Sequence, residues 1–382
     1  MKKNFLFRLS AIAMSLILVA CGGSTSEDVV ENETTAIESE ESLNVVVTTP
    51  MLGEFVKQVA GDSVVLDILM PAEADPHTYD PSPQDAAKIA DADIVLYVGI
   101  KYETSSLLKL IENTASTNAT LLEIGEEIDP IEFKDGERDH GHHDDHDEEG
   151  HDDEDGHDDH DEEGHDDDKD HDHDDEEGHD DHDDEDGHDD HDEEGHEGHE
   201  GHDHGSEDPH FWFDPVRVAM AVEVIKDSLV SLDPANSSTY EANADNFISE
   251  LTDLDAQVKA LIESVSEDNR KIVTTHEALG YLEARYGIEV FATIIPSLST
   301  ADEISPSQIA DVIDVIEDNN IKVLFVESEA PSVYAETVAA EAGITAVTGL
   351  YVETLKDGQT YSDFLISNVT LIVESLNSAG EG

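Results

Sequence analysis

Residues 44–98 read NVVVTTPMLGEFVKQVAGDSVVLDILMPAEADPHTYDPSPQDAAKIADADIVLYV. Three short runs rich in β-branched residues, Asn44–Thr49, Val64–Leu69 and Ile94–Val98, alternate with helical periods over Leu52–Ala60 and Pro83–Ala90. Valine and isoleucine pack well on a pleated surface. Near-continuous apolar strands separated by helices are how a parallel sheet is built, because each parallel crossover needs a long connection that covers a face. A helix over Glu103–Ala115 and a strand over Thr120–Ile124 extend the alternation. It returns at the far end of the chain, with strands over Lys271–Thr275, Ile288–Ile294, Lys322–Val326 and Ile344–Thr348. Helices there fit Glu277–Tyr286, Ser305–Asn319, Pro331–Ala342 and Tyr361–Leu376.

Between these halves lie an amphipathic helix, Pro215–Leu232, and a longer pattern, Ala235–Val265, with neither Gly nor Pro. Its residues Phe247, Leu251, Leu254, Val258, Leu261 and Ile262 fall on one stripe. At about 1.5 Å per residue such a helix spans roughly 45 Å, which suits a rigid connector. The expected fold is α/β, with two similar lobes, each a mainly parallel four-stranded sheet flanked by helices, joined by one long rigid helix. The expected boundaries are 44–232 for the N-terminal lobe, 233–265 for the connecting helix and 266–382 for the C-terminal lobe.

One segment breaks the pattern. Residues 139–204 contain only Asp, Glu, His and Gly, apart from Lys169. They hold 18 of the 21 histidines: His140, His142, His143, His146, His151, His157, His160, His165, His171, His173, His179, His182, His188, His191, His196, His199, His202 and His204. Without an apolar residue the segment has nothing to bury, so a disordered insertion over 134–207 is expected. An acidic solvated loop needs no imidazole, whereas imidazole with carboxylate is the ligand set of borderline divalent metals. Many flexible ligands imply several weakly held, rapidly exchanging ions. The segment carries −37 of the net charge of −77, and the remainder −40. So acidic a body argues against nucleic acid and anionic lipid as partners and points to a salty or extracellular setting.

The three other histidines sit in rigid loops or at strand ends. His77 lies in DPHTYDPSP (75–83), just beyond a strand; His210 lies in DPHFWFDP (208–215); His276 follows a strand directly, in TTHEALGYL (274–282). Ligands of open α/β sheets bind outside the carboxyl ends of strands. Prolines beside His77 and His210 limit the entropy lost when those side chains are committed.

The N-terminal 21 residues read as a secretion signal. Lys2, Lys3 and Arg8 precede a short apolar run, Leu9–Ala20, which is brief for a membrane span. Leu18-Val19-Ala20-Cys21 resembles the lipobox of bacterial lipoproteins, which implies cleavage before Cys21, lipidation of its thiol and anchoring by acyl burial. Residues 22–43 have a tether's composition. Cys21 is the only cysteine, so no intrachain disulfide forms.

The two DPH motifs, the His/acid insertion before the second and TTHEALGYL after a long helix together resemble the zinc-binding lipoproteins of ABC importers, a metal-specific cluster of substrate-binding proteins that includes manganese binders. The resemblance runs from Asn44 to about Leu376. It implies one metal held in the cleft between the lobes, by His77 and His210 from the first and His276 from the second. Family members carry Asp in a short motif after the last strand; here Glu353 in LYVETL (350–355) takes that place, with water as the alternative fourth ligand. Glu327, at the end of another strand, matches a family glutamate and is expected to orient a ligand imidazole.

Three imidazoles and a carboxylate suit tetrahedral zinc, whereas manganese favours more oxygen ligands. The implied partners are the zinc ion, a permease with a separate ATPase subunit, and a membrane reached through acylated Cys21. The chain would act as a monomer outside the cytoplasm, in the periplasm or at the cell surface. No GxxxxGK[ST] occurs, and His276-Glu277 lacks the second His of an HExxH helix, so an enzyme is not expected. Two readings stay open beside zinc import: manganese or iron import on the same fold, and a surface metal buffer or sensor without transport.

Overall fold

The computed structural model describes residues 42–133, 207–302, 304–329 and 333–380. Cys21 and the histidines from His140 to His204 lie outside the described residues. The β-branched runs form two parallel sheets. The first contains β1 (Leu43–Val47), β2 (Val64–Ile68), β3 (Ile94–Tyr97) and β4 (Thr120–Glu123), ordered β2-β1-β3-β4. The second contains β5 (Lys271–Thr274), β6 (Glu289–Thr293), β7 (Val323–Glu327) and β8 (Thr345–Leu350), ordered β6-β5-β7-β8. Counted from its own first strand, each sheet has the same order. Each therefore reverses direction between its first and third strands, and a crevice opens at such a reversal. Register keeps the apolar runs together: Val45 pairs with Leu66 and Ile94, and Leu324 with Val273 and Ala346.

The crossovers are α1 (Pro50–Ala60), α2 (Pro83–Ala90) and α3 (Ser105–Thr114) in the first lobe, followed by α4 (Pro215–Leu232). The second lobe uses α6 (Gly280–Tyr286), α7 (Pro306–Asp318), α8 (Val333–Ala342) and α9 (Tyr361–Gly380). Proline opens α1, α2, α4 and α7, where its fixed φ is helical and its missing N–H would have no partner. Ser82 with Asp85 and Ser305 with Gln308 form capping boxes that satisfy the first amides of α2 and α7.

Two boundaries differ from the sequence reading for a local reason. The helix expected from Glu103 begins at Ser105, because Thr104 caps it through Leu107 N. The helix expected from Glu277 begins only at Gly280, because the Glu277 amide donates to Ser297 O instead. Residues 276–279 are thereby kept as a loop at the mouth of the crevice.

The connector is α5 (Ser237–Glu263), preceded by a short 3-10 turn at Pro234–Asn236. It buries Tyr240, Ala244, Phe247, Leu251, Leu254, Val258 and Ile262. This face packs on α1 and α4 of the first lobe and on α9 of the second. The stripe thus joins the lobes into a single core: Val45, Phe55, Phe211, Phe247, Phe325 and Phe364 belong to one buried cluster. Phe55 meets Tyr361 edge-on at 5.4 Å between ring centroids, and Phe213 lies 5.7 Å from Phe364. The Tyr361 hydroxyl donates to Trp212 O at 2.8 Å, and Trp212 Nε1 donates to Val352 O at 2.7 Å. Opening the lobes widely would expose this surface at about 25 cal/mol per Å² of apolar area, so the interface restrains hinge motion.

Because the lobes share one core, urea should unfold them together. The fluorescence of Trp212, the only tryptophan, and far-UV circular dichroism should give the same midpoint. Phe364→Ala should lower stability by about 3–5 kcal/mol while leaving one transition. Separate transitions for the two probes would show that the lobes are independent.

Candidate metal centre

The two Asp-Pro-His motifs fold alike. In each, the aspartate accepts the backbone N–H of the histidine two residues on, an Asx turn that proline stiffens. Asp75 Oδ1 accepts from His77 N at 2.9 Å, and Asp208 Oδ1 from His210 N at 2.9 Å. The other oxygen of Asp75 accepts from Thr300 Oγ1 of the second lobe at 2.7 Å, tying that lobe to the turn that carries His77. Asp208 Oδ1 also lies 2.8 Å from His210 Nδ1. Gly280 makes this approach possible, since a Cβ there would lie 2.4 Å from Asp208 Oδ2.

His276 follows β5 and meets the end of β7 across the reversal point of the second sheet. Glu327 accepts from His276 N at 3.1 Å and sits 2.5 Å from its Nδ1. Carboxylates on the Nδ1 atoms of His210 and His276 orient both rings and leave each Nε2 facing inward. Glu353 follows β8, and its Oε1 lies 2.7 Å from His276 Nε2, 3.4 Å from His210 Nε2 and 3.5 Å from His77 Nε2.

His77, His210, His276 and Glu353, the residues named from sequence, therefore converge, with their donor atoms all within 4.8 Å of one another. His77 is 8% exposed and the other three are fully buried. None of these Nε2 atoms and neither Glu353 oxygen has an aligned hydrogen-bond partner. Five buried polar atoms left so are costly, and a small cation is what this donor set accommodates. The walls are aromatic: Tyr102 lies 5.2 Å from the His77 ring, and Trp212 5.5 Å from the His210 ring. The Tyr102 hydroxyl donates to Glu353 O at 2.9 Å.

Glu327 stands where the sequence placed it, against His276. Asp208, Tyr102 and Glu329 were not singled out from sequence. Asp208 was within reach, because its motif repeats that of Asp75. Glu329 accepts from the backbone amides of Val352, Glu353 and Thr354 at 3.1, 3.2 and 3.4 Å.

The electrostatics follow from burial and charge. Burial alone would lower the pKa of His210, but the Glu353 charge and the contact with Asp208 outweigh it and raise it to about 9. For His276 burial is likewise outweighed, mainly by Glu327, and its pKa rises well above 6.5. Burial pushes Glu353 up, but His210 and His77 overcome this and hold it well below 4.5.

A pair of parallel-sheet lobes closed over a small buried imidazole–carboxylate pocket is a build that can hold a metal ion. Residues 45–375 match the family described as zinc-uptake complex component A, periplasmic (ZnuA), and the chain belongs to that family. This is a family of uptake components, not of enzymes. The zinc-binding lipoprotein AdcA of Streptococcus pneumoniae (strain ATCC BAA-255 / R6) is 29% identical over 387 residues, covering 100% of this chain and 62% of the relative. The chain thus spans under two thirds of that relative's length. The manganese-binding lipoprotein MntA of Halalkalibacterium halodurans is 24% identical over 381 residues, 98% of this chain and 99% of the relative. Among solved structures, the periplasmic zinc-binding protein TroA of Treponema pallidum shares the fold. Its TM-score is 0.65 at 21% identity, over 87% of this chain and 98% of that one. Among the described residues no helix is long and apolar enough to cross a membrane.

Raised imidazole pKa values make the centre sensitive to pH. In the metal-free protein the stability contributed by His210 is fully present below 6.5 and is lost as pH rises through about 9. The contribution of Glu353 is present above 4.5 and is lost as pH falls below that value. At pH 7 a bound ion must displace the protons of His210 and His276. Calorimetry in buffers of different ionisation enthalpy should therefore show release of no fewer than about two protons per ion. Release of none would mean that the imidazoles are neutral in the empty centre.

Proposed function

We propose that this chain is the extracytoplasmic zinc-binding component of an ABC-type importer, capturing one Zn²⁺ between its lobes and delivering it to a membrane permease. One observation carries the reading: three imidazole Nε2 atoms and the Glu353 carboxylate converge in a buried pocket without hydrogen-bond partners. His77, His210, His276 and Glu353 would be the ligands, with Glu327 and Asp208 orienting two of the rings. Three nitrogens and one carboxylate match tetrahedral zinc better than manganese, which prefers more oxygen. The relative named for zinc supports this choice; the one named for manganese makes manganese the competitor to test. A separate subunit would hydrolyse ATP. Acylated Cys21 would anchor the chain to the cell membrane, and residues 22–43 would give it reach. The histidines between His140 and His204 would hold further ions weakly, collecting zinc beside the cleft.

The release step would not need wide hinge opening, because the lobes share a core. The least buried of the four is His77, on a turn tied to Thr300, so local movement of that turn would open the centre.

Titrating zinc and manganese, each at the same free concentrations, should reveal one tight site in the wild-type chain, with zinc preferred. Deleting 139–204 should keep that site and lower the total zinc bound. The His77→Ala, His210→Ala, His276→Ala triple variant should lose the tight site and keep the weak ones. A tight site surviving in the triple variant would sink the assignment, and a preference for manganese would replace zinc with it.

A further inference from the structure

The mechanism above leaves one buried carboxylate beside the centre unused. Glu329 lies two residues beyond the end of β7, and its Oε1 accepts three consecutive backbone amides, those of Val352, Glu353 and Thr354. Three successive N–H groups turned toward one oxygen form an anion-holding nest. The residues that donate them are buried, Val352 and Glu353 fully and Thr354 to 2% exposure. Without an acceptor inside the fold, those donors would be stranded away from water. The Glu329 side chain therefore holds the segment in the one course that aims the Glu353 side chain at the imidazoles.

The end of β7 thus serves both ligands of the second lobe. Glu327 takes the backbone N–H and Nδ1 of His276 on one side, and Glu329 takes the amides around Glu353 on the other. The backbone continues the link, since Ser328 N donates to Leu350 O at 2.8 Å. We infer that Glu329 is a positioning residue for metal capture, which fixes the Glu353 loop by accepting its backbone amides and acts through geometry rather than through its charge. This rests on Glu353 being a ligand.

Two substitutions separate the position of the oxygen from the carboxyl group itself. Glu329→Gln keeps an oxygen where the three amides point and replaces the carboxyl by an amide. Glu329→Asp keeps the carboxyl and withdraws the oxygen by one methylene. Zinc affinity would be measured by competition with a chromophoric chelator, with Co²⁺ as a spectroscopic probe of the ligand set. Glu329→Gln should bind zinc within about threefold of wild type and give the wild-type Co²⁺ bands. Glu329→Asp should lose about 10- to 100-fold in affinity, the range seen for groups that orient metal ligands, and its Co²⁺ bands should shift toward a water-containing set. Wild-type affinity in Glu329→Asp, or equal losses in both variants, would overturn the inference. Glu353→Ala is the control. If it binds zinc as tightly as wild type, the ligand assignment itself has failed; if it weakens while Glu329→Asp does not, only the positioning role has. Circular dichroism of each metal-free variant checks the fold, and should Glu329→Asp not fold, Glu329→Gln still decides, since loss of affinity there contradicts the geometric role.

Discussion

A fully buried carboxylate faces three imidazoles at the meeting of two lobes, and the rest of the molecule is arranged so that this can persist. Glu353 has no solvent to stabilise its charge, and burying an ionised group is tolerable only beside countercharge. That countercharge comes from both lobes at once, from His210 on one side and His276 on the other. The lobes therefore cannot be loosely tethered. The apolar stripe of α5, the aromatic contacts of Tyr361 and Phe364, and the bonds from Trp212 and Tyr102 to the Glu353 loop hold them against each other. Stability and site geometry are two results of the same packing.

Topology explains why the converging side chains arise where they do. Each sheet reverses direction between its first and third strands, and the loops beyond the strand ends must diverge there. In the second lobe the crevice receives His276 from β5 and Glu327 from β7, with Glu353 arriving after β8. In the first lobe Glu103, from the loop beyond β3, accepts from Thr48 Oγ1 just past β1 at 2.7 Å and from Val98 N at 2.7 Å. The two crevices thus hold different chemistry: an imidazole and the carboxylate against it in one lobe, a carboxylate bonded to backbone and hydroxyl in the other.

Much of this was legible in the chain. Runs such as NVVVTT and KVLFV specify buried strands because β-branched residues leave few alternatives, and the stripe from Phe247 to Ile262 specifies a helix by its period. The three histidines were legible because their motifs sit beyond strands or beside prolines, whereas Glu353 was named only through the resemblance to the zinc-binding lipoproteins. What was hidden depends on distance in sequence. Nothing near Glu329 announces that its oxygen will meet amides 23 to 25 positions on. Gly280 looks like an ordinary helix start until Asp208, 72 positions earlier in the numbering, is seen against it. The late start of α6 is of the same kind, since a partner from another segment, Ser297, decides it.

The raised pKa values of His210 and His276 carry a consequence for whatever meets this protein. When empty at neutral pH, the centre holds two imidazolium protons and one carboxylate. When filled by a divalent cation, it holds two positive charges on the ion and the same carboxylate. Loading is then nearly isoelectric: two protons leave and a dication takes their place. The far field of the protein, dominated by a net charge of −77, is hardly altered. A partner farther off than a Debye length of about 8 Å thus meets nearly the same charge at this centre whether it is full or empty. Any difference that this centre presents to its surroundings is then one of contact, through the order and position of the loops that carry His77 and Glu353.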